Sequence, residues 1–202
     1  MVRLDLWLQF FAIEVVLCLT PGPAVFTVIA QGLRHGGRRS LFGNLGITAG
    51  NAMYFLLSAL GVGAALAARP EVYAVLRWGA IAYLAWTALR MLRSRGGAEV
   101  AAAEGRPGAL FRQGLVTQLG NPKALVFFVA VLTPFTDPTL PIGPQVAVYA
   151  LTTFATEMPI LAAYGLAAGK AARLAGGASG ARLDRIAGGC LLVAAAWLAI
   201  RA

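Results

Sequence analysis

Six stretches of apolar residues, separated by short polar gaps, dominate the pattern of this chain. They cover residues 6–30, 42–67, 72–91, 113–133, 145–168 and 186–200. A helix that spans a bilayer needs about 20 mostly apolar residues, and most of the stretches reach that length. The pattern predicts an all-α polytopic membrane protein with six transmembrane helices and no soluble domain.

The overall composition agrees with this prediction. Of the 202 residues, 59% are hydrophobic and 12% are charged, and the mean hydropathy is +0.74. Soluble domains carry about 25% charged residues.

The first stretch is interpreted as a span rather than as a cleaved signal peptide. Glu14 interrupts it, and Pro21 and Pro23 follow where a cleavage site would need small residues.

The Lys and Arg residues are distributed unevenly among the gaps. Of the 17, four (Arg3, Arg69, Arg77 and Arg201) lie toward the ends of the chain or on either side of the second gap, Lys123 lies within the fourth stretch, and twelve lie in or beside the gaps that follow the first, third and fifth stretches. Those twelve are Arg34, Arg38, Arg39, Arg90, Arg93, Arg95, Arg106, Arg112, Lys170, Arg173, Arg182 and Arg185. Short loops rich in Lys and Arg stay in the cytoplasm. The bias predicts a multi-pass protein of the bacterial inner-membrane type with both termini outside the cytoplasm, and it explains the net charge of +9 without nucleic acid.

The six predicted helices divide into two halves of three around the longest polar loop, residues 92–112. An odd number of spans reverses the orientation of the second half, so a repeat of the halves must be inverted, as in many transporters. The first and fourth stretches are both interrupted at proline. We therefore expect a single transmembrane domain, residues 1–202, built from inverted three-helix repeats at about 1–95 and 108–202.

The first stretch contains the run Thr20-Pro21-Gly22-Pro23. Proline inside a helix removes a backbone hydrogen bond and clashes with the preceding turn. Backbone groups freed in this way are costly in lipid unless they are buried in protein or face a wet cavity. The run predicts that helix 1 is broken and that the break forms a polar site or a hinge, with a plain kink as the alternative.

The fourth stretch contains a second interruption, Asn121-Pro122-Lys123, with Gln118 about one turn earlier. Pro122 frees a carbonyl near Gln118, and the Asn121 carboxamide can both donate and accept hydrogen bonds. Lys123 falls near the middle of the bilayer. Its side chain either faces a site at the predicted break in helix 4 or extends back to the interface, as long cationic side chains do.

Two carboxylic acids lie within the predicted spans, Glu14 and Glu157. Acids inside a bilayer are rare and usually face the bundle interior or a water path. Glu157 is followed by Pro159, which loosens its helix, and we expect it to exchange protons. A static ion pair with Lys123 is the alternative. Glu14 lies nearer the outer end of its span, which leaves a rim position and a functional position equally open.

The second stretch is rich in small and amide residues. Gly46 and Gly50 are four residues apart and therefore share a helix face, which predicts close helix packing. Asn44 and Asn51 are seven residues apart and also share a face, so they are candidates for lining a path.

Motifs for other kinds of chemistry are missing from the sequence. The single histidine, His35, lies in a basic loop, and no nucleotide-binding loop or nucleophile elbow is present. Cys18 and Cys190 both lie in apolar stretches, where no disulfide is expected. We predict neither an enzyme nor a metal or other cofactor.

The chain resembles the LysE/RhtB family of amino-acid exporters over about residues 5–200. The matching features are Thr20-Pro21-Gly22-Pro23, the glycine series Gly32, Gly36, Gly43, Gly46 and Gly50, the run Gly79 to Trp86, and Phe111-Arg112-Gln113-Gly114 leading to Asn121-Pro122-Lys123-Ala124. Glu157 stands where members usually have an acid, more often Asp. Ala24 stands where many have an acid after Pro-Gly-Pro, which weakens an assignment to basic substrates.

The resemblance implies proton-driven efflux by six-helix proteins that often associate. We therefore expect a secondary transporter that exports amino acids or related small zwitterions by proton antiport, in a lipid bilayer, with a homodimer left open. A channel-like or ion-conducting membrane protein is the alternative. The residues expected to bind or pass the substrate are Thr20, Pro21, Gly22, Pro23, Asn44, Asn51, Gln118, Asn121, Pro122, Lys123 and Glu157. The proton-coupling acid is expected to be Glu157, with Glu14 as a second candidate.

The predicted orientation can be tested by labelling single cysteines in intact cells. An impermeant maleimide should react with a cysteine placed near Asp137, in a gap without Lys or Arg, and should miss one near Arg95. The native cysteines are replaced beforehand. The opposite labelling pattern would show that the termini lie in the cytoplasm.

Overall fold

A computed structural model describes residues 2–59, 70–93, 105–121, 123–124, 135–137, 139–174 and 180–200. The described residues form seven principal α-helices. They are α1 (Leu4–Leu19), α2 (Pro23–His35), α3 (Gly37–Ala59), α4 (Pro70–Arg93), α5 (Pro107–Leu119), α6 (Ile142–Leu174) and α7 (Gly180–Ile200).

The first apolar stretch forms two helices, so the prediction that helix 1 is broken is confirmed. α1 ends at Leu19, α2 begins at Pro23, and their axes differ by 48°. Thr20 and Gly22 have extended backbones between them. Pro23 occupies the first position of α2, where the missing N–H costs no helical hydrogen bond.

The fourth stretch is interrupted where the sequence predicts. α5 ends at Leu119, Gly120 caps it, and helical structure begins again at Lys123 and Ala124. The Tyr54 hydroxyl of α3 donates a hydrogen bond of 2.7 Å to the carbonyl of Leu119, which satisfies one of the carbonyl groups left at the helix end. Pro122 and residues 125–133, the predicted second half of this span, lie outside the described residues.

The lengths and polarities of the described helices support the membrane prediction only in part. α6 has 33 residues, about 50 Å at 1.5 Å per residue, and is long and apolar enough to cross a bilayer. The bent pair α1–α2 also qualifies if it forms one span. The other described helices fall short in length or apolar content, so six spans remain a prediction.

Burial is distributed as in a protein surrounded by lipid. Large apolar side chains point outward, among them Val75 and Leu151, whose exposed fractions are 73% and 67%. Polar side chains are buried between the helices. They are Glu14, Thr27, Gln31, Ser40, Asn44, Asn51, Thr87, Gln113, Thr117, Gln118, Asn121, Gln145 and Thr153. Buried polar groups at this density need one another as partners, because lipid offers none.

The described helices pack into one connected bundle. α3 lies against α5 on one side and α6 on the other, and α2 contacts α3, α6 and α7. α4 pairs with α7 through small side chains around Leu84 and Leu191. Phe10, Phe135 and Tyr149 pack together in a separate aromatic cluster between α1, α6 and the segment before it.

The segment before α6 is held by one buried amide. The Gln145 side chain accepts a hydrogen bond of 2.8 Å from the Asp137 N–H and donates to the carbonyls of Asp137 and Leu140. The Thr139 hydroxyl and N–H donate to the Asp137 carboxylate, and these hydrogen bonds lower the pKa of Asp137. This gap between stretches is therefore ordered in the residues described.

Glycine allows α3 and α5 to approach until their backbones touch, which confirms the predicted packing role of Gly46 and Gly50. A Cβ added to Gly46 would fall on the carbonyl oxygen of Phe111, and one added to Gly50 would lie 2.8 Å from the Cβ of Gln118. A Cβ on Gly114 would overlap the backbone of Gly43. Because backbone cannot rotate away as a side chain can, these positions exclude larger residues.

Replacing Gly46 with alanine should destabilise the protein by about 1–3 kcal/mol, because α3 and α5 must separate to admit the methyl group. The matched control is Gly189→Ala in α7, where nothing lies within 4 Å of an added Cβ. The control should be neutral or stabilising by up to about 1 kcal/mol through helix propensity. Apparent unfolding temperatures in detergent measure both, and equal values would contradict the close packing.

Candidate functional site

A partly open cavity lies beside the break between α1 and α2. Its empty space, including the mouth, is about 520 Å³. Five helices (α1, α2, α3, α5 and α6) and the two interruptions contribute to its wall, so the site depends on residues far apart in sequence. The lining residues are Glu14, Leu17, Cys18, Thr20, Gly22, Ala24, Val25, Asn51, Gln118, Asn121, Lys123, Ala124, Thr153, Glu157 and Leu161.

A continuous series of hydrogen bonds connects the interruption after α5 to Glu157. The Lys123 N–H donates to Asn121 Oδ1 at 3.1 Å, and Asn121 Nδ2 donates to Gln118 Oε1 at 3.2 Å. Gln118 Nε2 then donates to Asn51 Oδ1 at 2.5 Å, and Asn51 Nδ2 donates to Glu157 Oε2. Each carboxamide accepts from one neighbour and donates to the next. We call these three carboxamides (Asn51, Gln118 and Asn121) the amide chain.

Lys123 points toward the break in the first span. Its ammonium donates hydrogen bonds to the carbonyls of Leu17 and Thr20, the latter at 3.2 Å. A cation at the carboxyl end of a helix is favoured by unsatisfied carbonyls and by the helix dipole. Lys123 therefore joins the two interruptions directly, and the alternative in which it extends to the interface is wrong.

Glu14 lies inside the cavity rather than at its rim. Its side chain is only 4% exposed, and the Cys18 thiol one turn later donates a hydrogen bond of 3.3 Å to it. Glu14 and Glu157 both line the cavity, so two acids share it. Among the described residues, Glu157 is hydrogen-bonded by Asn51, and the Lys123 ammonium donates to the Leu17 and Thr20 carbonyls, so the structure favours these contacts over the alternative ion pair.

The amino end of α2 also faces the cavity. Gly22, Ala24 and Val25 line it, and no side chain caps this helix end. The first N–H groups of a helix have no partner within the helix, and the helix dipole makes this end attractive to anions. The break thus places a positive helix end beside the cationic Lys123.

Several of the predicted site residues do not line the cavity. Asn44 is buried and donates a hydrogen bond of 2.8 Å to the Met158 carbonyl, which attaches α3 to the turn of α6 that carries Glu157. Pro21 and Pro23 shape the break without lining the cavity. Pro122 lies outside the described residues. The other predicted residues (Thr20, Gly22, Asn51, Gln118, Asn121, Lys123 and Glu157) are brought together.

Sequence reasoning missed some of the cavity wall. Thr153 and Cys18 are each one helical turn from an acid, Glu157 and Glu14 respectively, and this spacing could have identified them. Apolar residues carry no comparable signal. The missed apolar lining residues are Leu17, Ala24, Val25, Ala124 and Leu161.

The cavity can bind a small solute that carries both signs of charge. It presents two carboxylic acids, one ammonium group and several amides beside apolar side chains. Within the described ranges, no group of three or more His, Cys, Asp and Glu side chains could hold a metal ion. The carboxylic acids, the ammonium group and the amides of the cavity can bind a charged solute, and the acids can exchange protons.

Comparison with known proteins agrees with the sequence resemblance. The family model for LysE type translocators matches residues 15–202. A protein of Vibrio cholerae named as an uncharacterized membrane protein is 32% identical over 163 residues, which is 80% of each chain. No solved structure matches this chain.

Other relatives carry names that state a transport activity. The homoserine/homoserine lactone efflux protein of Salmonella typhimurium is 26% identical over 161 residues, 78% of each chain. The leucine efflux protein of Klebsiella pneumoniae is 30% identical over 135 residues, which cover 65% of this chain and 63% of the relative. With the family model matching nearly the whole sequence, this chain is a membrane protein that belongs to the LysE type translocator family.

Proposed function

We propose that this chain is a secondary transporter that exports amino acids or closely related small zwitterions from the cytoplasm by proton antiport. The observation that carries the proposal is the amide chain, which ends on Glu157 in a cavity that also holds Lys123. This arrangement supplies a carboxylate that is oriented by a hydrogen-bond donor, beside groups that attract an anion.

The cavity complements both charged ends of an amino acid. Glu157 would accept hydrogen bonds from the substrate ammonium, since Asn51 occupies only one of its oxygens. The free N–H groups at the start of α2, near Ala24 and Val25, would bind the carboxylate, as helix amino ends commonly bind anions. Lys123 would strengthen that end of the site.

Proton coupling follows from competition for one carboxylate. When Glu157 is ionised, it can pair with a substrate ammonium. When it holds a proton, it has no charge with which to bind that ammonium. The proton and the substrate therefore exclude each other at the same group, and a carrier that moves either one in turn exchanges them across the membrane.

The relatives guide the choice of substrates. Those named as efflux proteins are named for homoserine, leucine and threonine, whose side chains are uncharged. Leu17, Val25 and Leu161 give this cavity an apolar wall that would accommodate such side chains. Neutral amino acids are therefore the first substrates to test.

We also propose that the two halves form an inverted repeat in the inner membrane, with both termini outside the cytoplasm. The helix contacts support this arrangement. α4 and α7, the third helices of the two halves, pack against each other. α3 packs against α5, and the equivalent contact under an inverted repeat is that of α6 with α1 and α2, which is also present.

Glu157→Gln should abolish efflux driven by a proton gradient, because the amide keeps the size of the side chain but cannot ionise. The efflux rate should fall more than tenfold below that of the wild type. Efflux of labelled leucine, threonine and homoserine from proteoliposomes measures the effect. The matched control is Glu14→Gln, the same change in the same cavity but off the amide chain, which should lose less. Normal proton-driven efflux by Glu157→Gln would refute antiport through this acid, and wild-type flux that ignores the gradient would favour a channel.

Asn51→Leu should also reduce efflux more than tenfold, because it leaves Glu157 and Gln118 without their shared partner. Asn44→Leu is the control, since Asn44 is an equally buried carboxamide of α3 that bonds the Met158 carbonyl and does not line the cavity. Each change removes a buried hydrogen bond and should cost about 1–3 kcal/mol. Equal losses of efflux in both variants, in proportion to their stability, would contradict a specific role for the amide chain.

A further inference from the structure

Two rungs of buried polar side chains join α2 to α5 on successive helical turns. In the first rung, the hydroxyl oxygens of Thr27 and Thr117 are 3.3 Å apart. In the second, Gln31 Nε2 donates to Gln113 Oε1 at 2.8 Å. All four side chains are at least 95% buried.

These rungs continue the polar surface of the cavity along α2 and α5, away from the break between α1 and α2. Thr117 directly precedes the lining residue Gln118, whereas none of the four rung residues lines the cavity itself. The second rung lies toward the end of α2 at His35, the side that the Lys and Arg distribution places in the cytoplasm. These two rungs, which we call the polar seam, therefore lie between the cavity and the predicted cytoplasmic ends of α2 and α5.

One acceptor in the seam has no hydrogen-bond partner among the described residues. Gln31 is 1% exposed, and its Oε1 atom accepts no hydrogen bond from that part of the chain, although its Nε2 atom bonds both Gln113 and the Leu110 carbonyl. The carboxamide lies against Gly43, where a Cβ would overlap it. A buried polar atom without a partner disfavours the arrangement that buries it. Water or a polar solute would satisfy Gln31 Oε1 if the seam opened.

α2 begins at an interruption and α5 ends at one, so each helix can move about that end. α2 is joined to α1 through the extended residues around Gly22, and α5 ends at Gly120. A helix that is connected through non-helical residues can swing without bending its own hydrogen bonds. The two rungs are paired across α2 and α5, so such a swing would separate both together.

Building on the proposed function, we infer that the Thr27–Thr117 and Gln31–Gln113 rungs form the closed cytoplasmic gate of the transport path. The amino acid enters from the cytoplasm between α2 and α5 when the rungs separate, and it passes these hydroxyl and amide groups to reach Glu157. The structure thus represents the state in which the cavity is shut off from the cytoplasm.

The gate can be locked by a cross-link. Thr27 and Thr117 are both replaced by cysteine in a background with Cys190→Ala, and Cys18 is kept because it lines the cavity. A disulfide is then formed between the two thiols by oxidation. Efflux of labelled leucine, threonine and homoserine should fall more than tenfold on cross-linking and return on reduction with dithiothreitol. The single variants Thr27→Cys and Thr117→Cys should be insensitive to the same treatment.

The outcomes separate the gate from the proposed function. If the fully cross-linked protein exports as fast as the protein treated with dithiothreitol, α2 and α5 do not part during transport and the gate inference is wrong. If neither wild type nor reduced protein exports any of the three amino acids, the proposed function fails, and the gate is then judged by accessibility alone.

Accessibility is measured on a Gln31→Cys variant in the same background. An impermeant maleimide applied from the cytoplasmic face should label it as the gate opens. The control is Ala187→Cys in α7, which is fully buried in the cluster around Leu84 and Leu191 and belongs to neither rung. Labelling of Gln31→Cys at least tenfold faster than of Ala187→Cys supports the gate, and equal rates overturn it even if the double-cysteine variant is inactive.

Discussion

The amide chain from Asn121 through Gln118 and Asn51 to Glu157 is the interaction on which the rest of the structure depends. Its three carboxamides and Glu157 come from α3, from α5 with the interruption after it, and from α6, and each carboxamide must donate in the same direction for the next group to accept. In a lipid surrounding, a carboxamide without a partner has no water to replace it. The chain therefore holds α3, α5 and α6 in one register around the cavity.

The close approach of the helices is a condition for that chain. Asn and Gln side chains are short, so they can span from α5 to α3 only where the backbones nearly touch, and Gly46 and Gly114 permit this. The same small residues exclude lipid from the interface. In the sequence, these glycines predict only close helix packing. In the structure, this packing also sets the distance between the polar side chains of α3 and α5.

The two interruptions serve one site. The break after α1 exposes carbonyls that Lys123 from the other interruption satisfies, and it turns the amino end of α2 toward the same cavity. The carbonyl groups freed at the end of α1 and the N–H groups freed at the start of α2 therefore both contribute to one site. In the proposed function, such a site would bind a zwitterion while α2 and α5 remain able to move at these ends.

The sequence alone determined the apolar stretches, the position of both interruptions and most of the polar cavity wall, because each rests on local chemistry: proline and glycine break helices, and polar residues in apolar stretches need partners. Only the tertiary structure decided which groups meet. It brought Glu14 into the cavity, directed Lys123 to the Leu17 and Thr20 carbonyls, and turned Asn44 away toward Met158. Helix periodicity gives the face a residue occupies, but the partner of that face depends on how helices distant in sequence pack, and no local pattern records this.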